Sequence, residues 1–138
     1  MPALFHFAYH VLDLDDSRAF YCGALGCIEG RSTSTWVDID FFGHQLSLHL
    51  GQPFAVTNTG RVAEHFVPMP HMGVILPMDE WKALAARLKA RGDIAFDLEP
   101  QIRFAGQPGE QATMFFRDPS GNPIEVKGFS ELTDVYAQ

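Results

Sequence analysis

The feature that most constrains this chain is an internal repeat, in which the order strand–helix–strand–strand–strand occurs twice. Both copies open on a histidine, which is His6 in the first copy and His71 in the second. Gly43 and Gly121 then fall in equivalent turns before the last strand of each copy. Repetition of a supersecondary unit predicts matching modules. We therefore predict an α+β fold made of two βαβββ modules.

The first module covers about residues 3–51. Residues 3–12 are apolar and aromatic, as expected of a strand, and the helix that follows ends near Leu25, just before a glycine. The start of this helix can be capped by any of three carboxylates, Asp13, Asp15 or Asp16. The strands expected after the helix are Cys27–Gly30, Thr35–Phe41 and His44–Leu50.

The second module covers about residues 71–129. It opens with a strand from His71 to Pro77, after which Asp79 is the expected N-cap of a helix that ends at Arg91-Gly92. A core-facing helical stripe is formed by Trp81, Leu84, Ala85 and Leu88. The strands expected next are 94–98, 111–117 and 122–128, with a tight turn at Asp118–Asn122.

Residues 52–70 join the two modules and show no clear periodicity. This stretch is rich in Gly, Pro, Thr and Asn, and it is longer than most connections within a domain. We predict a linker that also covers a site. Because 138 residues with 46% hydrophobic content suffice for one core, the whole chain, 1–138, is expected to form a single domain.

Four of the predicted strands have one apolar face and one face with polar or small side chains, since strand side chains alternate. The apolar faces are expected to pack under the two helices. Leaving the polar faces dry and unpaired would cost several kcal/mol, so we expect them to line a common concavity. Their members are His6, Ala8 and His10; Gln45, Ser47 and His49; His71 and Gly73; and Glu125 and Lys127.

Three of these side chains, His6, His71 and Glu125, form a set of two imidazoles and one carboxylate. Such a set suits one divalent metal ion, Fe, Mn, Ni or Zn, and leaves coordination positions open for a further ligand. We predict that the three side chains bind a single ion. A small molecule is the expected partner of such a site.

The composition excludes several classes of partner. A net charge of −7 argues against nucleic acid, whose binding needs a basic surface. No stretch approaches the ~18 apolar residues of a membrane span, and no basic segment precedes an apolar one at the start. We therefore expect no membrane association and a cytoplasmic location. Cys22 and Cys27 are expected to be small buried thiols without a disulfide.

Two segments, FHFAYHVLDLDDSRAFYCGALGC at 5–27 and MFFRDPSGNPIEVKGF at 114–129, resemble the vicinal oxygen chelate superfamily. This superfamily includes glyoxalase I, extradiol dioxygenases, methylmalonyl-CoA epimerase and fosfomycin-resistance proteins. The resemblance implies two βαβββ modules that form a U-shaped sheet cleft, which is the glyoxalase/bleomycin-resistance/dioxygenase fold. It also implies a divalent metal held by His6, His71 and Glu125.

The fourth strand has two alternative roles in this superfamily. In glyoxalase-like members it supplies a fourth ligand, for which this chain offers Gln45, Ser47 or His49. In dioxygenase-like members a catalytic acid–base histidine lies near it, and we predict His49 for that role. Phe115 stands where the extradiol signature has a tyrosine, and no His lies between 100 and 113. These departures argue against ordinary catechol ring cleavage, and the lack of a Glu on the fourth strand argues against a glyoxalase.

The resemblance implies a divalent-metal-dependent enzyme, dioxygenase-like or glyoxalase/isomerase-like, that acts on a small substrate with two vicinal oxygens. The alternative is a non-catalytic protein of the same fold that sequesters a small molecule. Retention of the ligand set favours the enzyme. A homodimer is expected, because such clefts are often completed across a subunit interface. Candidate substrate contacts are Gln111, Thr113 and Phe115 on one strand face, together with Arg103 for an anionic group.

Overall fold

The computed structural model describes residues 2–137 and shows an α+β fold, as predicted. The chain divides into two units. Unit 1 comprises the residues up to Ala55 together with the turn Asp118–Asn122, and unit 2 comprises Val56–Arg117 and the residues from Pro123 onward. Each unit contains a four-stranded sheet whose first and last strands are parallel neighbours. The two sheets repeat one topology.

Unit 1 holds the first copy, with the strand order β1-β4-β3-β2. Its core joins Tyr9 and Val11 of the first strand to Leu48 of the last strand and to Phe20 and Tyr21 of the helix. The alternation predicted for these strands places His6 and His10 on the opposite, exposed face. The elements are β1 (His6–Val11), α1 (Leu14–Arg18) with a π-helical continuation (Ala19–Ala24), β2 (Ile28–Ser32), β3 (Trp36–Phe41) and β4 (His44–Leu50).

The first helix is capped by Asp13, which is one of the three predicted caps. Asp13 is extended, with φ −151°, and its Oδ1 accepts a hydrogen bond of 2.8 Å from the backbone N–H of Asp16. Its carbonyl also accepts a hydrogen bond of 2.7 Å from the Ser17 hydroxyl. The cap therefore satisfies an N–H group that the first helical turn leaves without an intrahelical partner.

Replacing Asp13 by alanine is expected to lower the free energy of unfolding by about 1 kcal/mol, since the capping oxygen is lost. Urea denaturation followed by circular dichroism measures this change. Asp15→Ala is the matched control, because it removes a carboxylate that forms only an exposed ion pair with Arg18. Equal losses of stability in the two variants would contradict the capping role.

The turn Asp118–Asn122 forms as predicted, and its hydrogen bonds explain why it belongs to unit 1. The buried Tyr21 hydroxyl donates a hydrogen bond of 2.8 Å to Asp118 Oδ2. The side-chain amide of Asn122 donates a hydrogen bond of 3.0 Å to the carbonyl of His10. Gly121 has φ +89° and Gly43 has φ +91°, so both turns of the repeat use the left-handed backbone that glycine adopts readily.

Unit 2 holds the second copy, with the strand order β7-β10-β9-β8, preceded by a two-stranded hairpin. The elements are β5 (Thr57–Val62), β6 (His65–Met69), β7 (Met72–Pro77), α2 (Met78–Arg91), β8 (Phe96–Arg103), β9 (Gln111–Arg117), β10 (Pro123–Phe129) and a final 3₁₀ turn (Leu132–Tyr136). Most strand boundaries lie close to those predicted. β8 is an exception, because it continues through Pro100 to Arg103, beyond the predicted end at residue 98.

Helix α2 packs on its sheet through the predicted stripe, which is confirmed as buried. Trp81 also donates a hydrogen bond of 2.9 Å from its indole N–H to the carbonyl of Val126. The prediction that Asp79 caps the helix is wrong, since the N-cap is Pro77. β7 passes directly into α2, which places Asp79 in the first turn, where a carboxylate favours the positive end of the helix dipole.

The segment predicted as a linker forms the β5–β6 hairpin. Its buried Val67 packs on Leu98 and Phe115 of the neighbouring sheet. Two-residue hairpin turns usually contain glycine or asparagine, but this turn places Ala63 at φ +53°. The sequence therefore lacks the usual signal for a hairpin at this position. The hairpin covers part of the sheet in unit 2.

Two expectations drawn from composition concern the membrane and the cysteines. Within residues 2–137, no helix has the length and apolar character needed to cross a bilayer. Neither Cys22 nor Cys27 forms a disulfide within residues 2–137, and each is half-buried. Both side chains are more exposed than the small buried thiols that were expected.

Candidate metal centre and ligand cavity

Two of the predicted metal ligands, His71 and Glu125, lie side by side in unit 2. His71 directly precedes β7, and Glu125 lies on the parallel neighbour β10, opposite Gly73. The distance from His71 Nε2 to Glu125 Oε1 is 3.2 Å. A Cβ at Gly73 would lie 1.6 Å from the carbonyl oxygen of Glu125, so glycine permits this close approach of the two strands.

Hydrogen bonds determine which atoms of His71 and Glu125 face each other. The Nδ1 of His71 is 2.7 Å from the carbonyl oxygen of Pro68. Because a carbonyl only accepts, Nδ1 carries a proton. A neutral imidazole would then turn the lone pair of Nε2 toward a carboxylate. The facing atoms are thus complementary to a cation, which is either a second proton or a metal ion.

Glu125 is only 8% exposed, and its second carboxylate oxygen also accepts a hydrogen bond. The Thr113 hydroxyl donates a hydrogen bond of 2.6 Å to Glu125 Oε2. Burial alone would raise the pKa of Glu125, but hydrogen bonds from His71 and Thr113 outweigh it and leave this pKa below the ordinary value. The hydrogen bond to Glu125 raises the pKa of His71, although burial opposes the change. Each partner therefore favours the charged form of the other.

These shifts predict how the metal-free protein responds to pH. The raised pKa of His71 contributes stability that is complete below the ordinary value of 6.5 and is lost as pH rises through the raised pKa. The lowered pKa of Glu125 contributes stability that is complete above its ordinary 4.5 and is lost as pH falls through the lowered pKa. Glu125→Gln is therefore expected to destabilise the protein most between these two ordinary values. Urea titrations of both proteins in chelator, over a pH series, measure this difference, and a difference that grows toward alkaline pH would contradict it.

The third predicted ligand, His6, lies in unit 1 and is exposed. Its Nδ1 is 2.8 Å from Gln45 Oε1 on the parallel neighbour β4. The amide nitrogen of Gln45 donates a hydrogen bond of 3.2 Å to Asp38, which orients the amide oxygen toward His6. The proton of His6 is therefore placed on Nδ1, and Nε2 keeps its lone pair for a ligand.

The other polar side chains of β4 have different environments. Ser47 is buried and donates a hydrogen bond of 2.6 Å to Asp38. His49 lies beside the Trp36 ring, with ring centres 6.3 Å apart, and its nitrogens make no hydrogen bond within residues 2–137. His49 lines a cavity of about 310 Å³ in unit 1 together with His10 and Phe54. Of the three fourth-strand candidates, His49 thus keeps both ring nitrogens available.

Unit 2 contains a larger cavity, of about 530 Å³, which is lined by the hairpin β5–β6 and the polar face of the sheet. His71 and Glu125 line this cavity. Three of the four predicted substrate contacts also line it, namely Arg103, Gln111 and Thr113. The fourth, Phe115, is fully buried and packs edge-on against the imidazole of His71, with ring centres 4.9 Å apart. Phe115 therefore supports a candidate ligand instead of facing the cavity.

The structure brings two of the three predicted ligands together. In the described part of the chain, no three His, Cys, Asp or Glu side chains are grouped so as to hold a metal ion. His71 and Glu125 belong to unit 2, and His6 belongs to unit 1. Binding of one ion by all three therefore stays a prediction.

The sequence pattern did not predict several residues that surround these sites. The carbonyl of Pro68 orients the imidazole of His71, and the carboxylate of Asp38 orients that of His6 through Gln45. No local motif marks such supporting atoms. Lys127, by contrast, was predicted from its spacing of two from Glu125, which places both side chains on the same strand face. Arg61 lies in the segment taken as a linker, and its place in the cavity depends on the unexpected hairpin.

The chain belongs to the glyoxalase/bleomycin resistance protein/dioxygenase superfamily, whose family model matches residues 3–126. It is 31% identical to a glyoxalase/bleomycin resistance protein/dioxygenase from Alicyclobacillus acidocaldarius. The match covers 97% of this chain and 96% of that one, and the TM-score is 0.75. This likeness extends over both units.

More distant solved structures share the fold. The fosfomycin resistance protein FosX from Listeria monocytogenes is 19% identical, over 97% of this chain and 98% of that one, with a TM-score of 0.65. Lactoylglutathione lyase from Agrobacterium tumefaciens is 18% identical, over 99% and 97%, with a TM-score of 0.64. No curated protein matches the chain. The same fold thus occurs in a resistance protein and in a lyase.

Proposed function

We propose that this chain is a divalent-metal-dependent enzyme of the vicinal oxygen chelate type. In this proposal it acts on a small substrate with two adjacent oxygens, in a dioxygenase-like or glyoxalase/isomerase-like reaction. One observation carries the proposal. His71 Nε2 faces Glu125 Oε1 at 3.2 Å, while the remaining polar atoms of both side chains are held by Pro68 and Thr113. Outer hydrogen bonds of this kind orient metal ligands in proteins.

His6 is the proposed third ligand, because Gln45 and Asp38 hold it in the same tautomer as His71. Two imidazoles and one carboxylate suit Fe, Mn, Ni or Zn and leave positions open for substrate. When bound, such an ion supplies Lewis-acid stabilisation of negative charge that develops on the substrate oxygens. The protein side chains fix the ligands, and the buried Phe115 holds the ring of His71 in place.

His49 is the proposed acid–base residue. It is exposed, and its ring nitrogens are free of hydrogen bonds within residues 2–137, so it is able to accept a proton from a substrate carbon or oxygen and to return it. Its neighbour Trp36 limits the orientation of the imidazole through ring contact. Replacement of His49 by alanine is therefore expected to lower turnover while leaving metal content unchanged.

Metal analysis combined with a substrate screen tests the proposal. Protein purified without chelators is analysed for Fe, Mn, Ni and Zn, and is then incubated with catechols, hemithioacetals and 2-oxo acids followed by mass spectrometry. The proposal predicts one ion per chain and at least one chemically altered compound. Absence of stoichiometric metal, with no uptake on titration, would overturn it. Bound metal with only unaltered compounds recovered would instead favour a protein that sequesters a small molecule.

We also propose that the chain forms a homodimer. Several large apolar side chains near the start of unit 1 are exposed, among them Leu4 at 68% and Phe5 at 63%. Exposed apolar groups that lie close together favour association. Light scattering coupled to size-exclusion chromatography is expected to give twice the chain mass of 15.4 kDa. Leu4→Ser/Phe5→Ser is expected to shift the protein toward monomer, and a monomeric wild type at micromolar concentration would contradict the proposal.

A further inference from the structure

The larger cavity of unit 2 concentrates positive charge in an acidic protein. Arg61 of β5, Arg103 of β8 and Lys127 of β10 all line it, while Glu125 is the one carboxylate among its described lining residues. The chain as a whole has a net charge of −7. Three cationic side chains from three separate strands therefore line one cavity, which is the arrangement expected of an anion-binding site.

Salt bridges distinguish these three cations from several other basic side chains. Several other basic side chains pair with carboxylates, as Arg117 does with Asp97 and Arg91 does with Asp93. Within residues 2–137, Arg61, Arg103 and Lys127 form no salt bridge. A cation that lacks an internal partner keeps its N–H donors available for a ligand.

Aromatic rings orient both guanidinium groups. The Cζ of Arg61 lies 5.1 Å from the ring centre of Phe66, and the Cζ of Arg103 lies 5.2 Å from that of Phe104. Stacking on a ring uses the face of the guanidinium and leaves its edge, which carries the N–H donors, free to bind two oxygens of one group. The cavity thus contains two planar guanidinium groups whose N–H donors are suited to bind an oxyanion.

The hairpin supplies an apolar wall to the same cavity. Val62, Val67 and Met69 line it, and Val67 is anchored on the core of unit 2. A volume of about 530 Å³ is in the range of sites for small molecules. The ligand that matches both kinds of wall has a charged oxyanion at one end and an apolar body at the other.

We propose that this cavity binds a small organic oxyanion, whose charged group is held by Arg61, Arg103 and Lys127 and whose apolar body lies along the hairpin. The proposal rests on the proposed function, since it names the substrate class of the site that contains His71 and Glu125. A carboxylate and a phosphate present the same oxyanion chemistry. The substrate is therefore an organic acid or a phosphate ester, and not a neutral diol or dicarbonyl.

Calorimetric titration of the metal-free protein tests this inference without relying on metal or turnover. The probes are phenylacetate, phenylphosphate and the neutral phenylacetamide. We expect at least one anion to bind, the neutral amide to bind roughly tenfold more weakly or not at all, and the affinity for the anion to fall as sodium chloride increases. The tighter of the two anions identifies the charged group.

Single variants then locate the binding site. Arg103→Gln and Arg61→Gln are each expected to weaken anion binding roughly tenfold. Arg31→Gln is the matched control, because it makes the same change in net charge on the exposed strand β2 of unit 1 and is expected to leave affinity unchanged. Melting curves verify that each variant is folded, and the salt dependence of the wild type provides the test if one is not.

The outcomes separate this inference from the metal proposal. Equal binding of the anions and the amide, no binding of either anion, or equal effects of Arg103→Gln and Arg31→Gln would overturn the inference. Metal content of Arg103→Gln is expected to equal that of the wild type. If the anion binds as expected but no metal is taken up, the metal proposal fails while the oxyanion site stands.

Discussion

Replacing Glu125 by glutamine is expected to weaken divalent-metal binding roughly 100-fold or more, since removal of an orienting partner alone commonly costs 10–100-fold. Glutamine keeps the shape of the side chain, and its amide oxygen is still able to accept the hydrogen bond from Thr113. The variant loses the negative charge that lies 3.2 Å from His71 Nε2. Titration of metal-free protein with zinc, followed by calorimetry, measures the change.

Glu99→Gln is the matched control for this variant. Glu99 lies on β8 of the same unit, and its one ion pair among the described residues is with the exposed Lys89. It is expected to bind zinc as the wild type does, because a solvated carboxylate on the surface contributes little to a separate site. Undiminished zinc affinity in Glu125→Gln, or an equal loss in Glu99→Gln, would show that Glu125 is not a ligand. Circular dichroism establishes that both variants are folded.

Replacing Gly73 by alanine is expected to lower the free energy of unfolding by about 3 kcal/mol or more. A Cβ there would lie 1.6 Å from the carbonyl oxygen of Glu125 and 2.7 Å from its carbonyl carbon. These are backbone atoms of the parallel pair β7–β10, which are unable to move without loss of ladder hydrogen bonds. Because Glu125 is opposite Gly73 in register, the variant is also expected to displace the candidate ligand.

Gly23→Ala provides the comparison for this effect. Gly23 lies in the helical segment Ala19–Ala24, and a Cβ there would meet no atom within 4 Å beyond its chain neighbours and its own helical backbone. Alanine at such a position is expected to be neutral or to stabilise by about 0.5–1 kcal/mol. Urea denaturation of the two variants under the same conditions compares them. Similar midpoints for Gly73→Ala and the wild type would contradict the close strand approach.

Strong local patterns predicted much of the fold. The stripe that begins at Trp81 has helical spacing and is buried, and the turns at Gly43 and Gly121 adopt the positive φ that glycine favours. Strand alternation also placed Glu125 on the face that lines a cavity, beside His71. These features depend on neighbours close in sequence or on a strict period of two, so a single sequence contains enough information for them.

Other features depend on contacts between distant segments. The β5–β6 hairpin turns at Ala63 and is stabilised by Val67 on Leu98 and Phe115, none of which produces a local signal. The burial of Phe115 has the same origin, because the alternation of β9 was correct but the hairpin covers that part of its face. Arg61 lines the cavity because it belongs to this hairpin, so the sequence pattern does not mark it as a ligand-binding candidate.

X-ray absorption spectroscopy of the zinc-loaded protein tests most directly whether His6, His71 and Glu125 share one ion. Imidazole ligands produce characteristic scattering from the outer ring atoms, so the number of bound histidines is counted without reference to turnover. Two imidazoles and oxygen ligands are expected for the wild type, with one imidazole after His6→Ala and one after His71→Ala. His65→Ala, on the exposed end of β6, is expected to keep both. A count of two that persists in His6→Ala, or a wild-type site without imidazole, would contradict the shared centre.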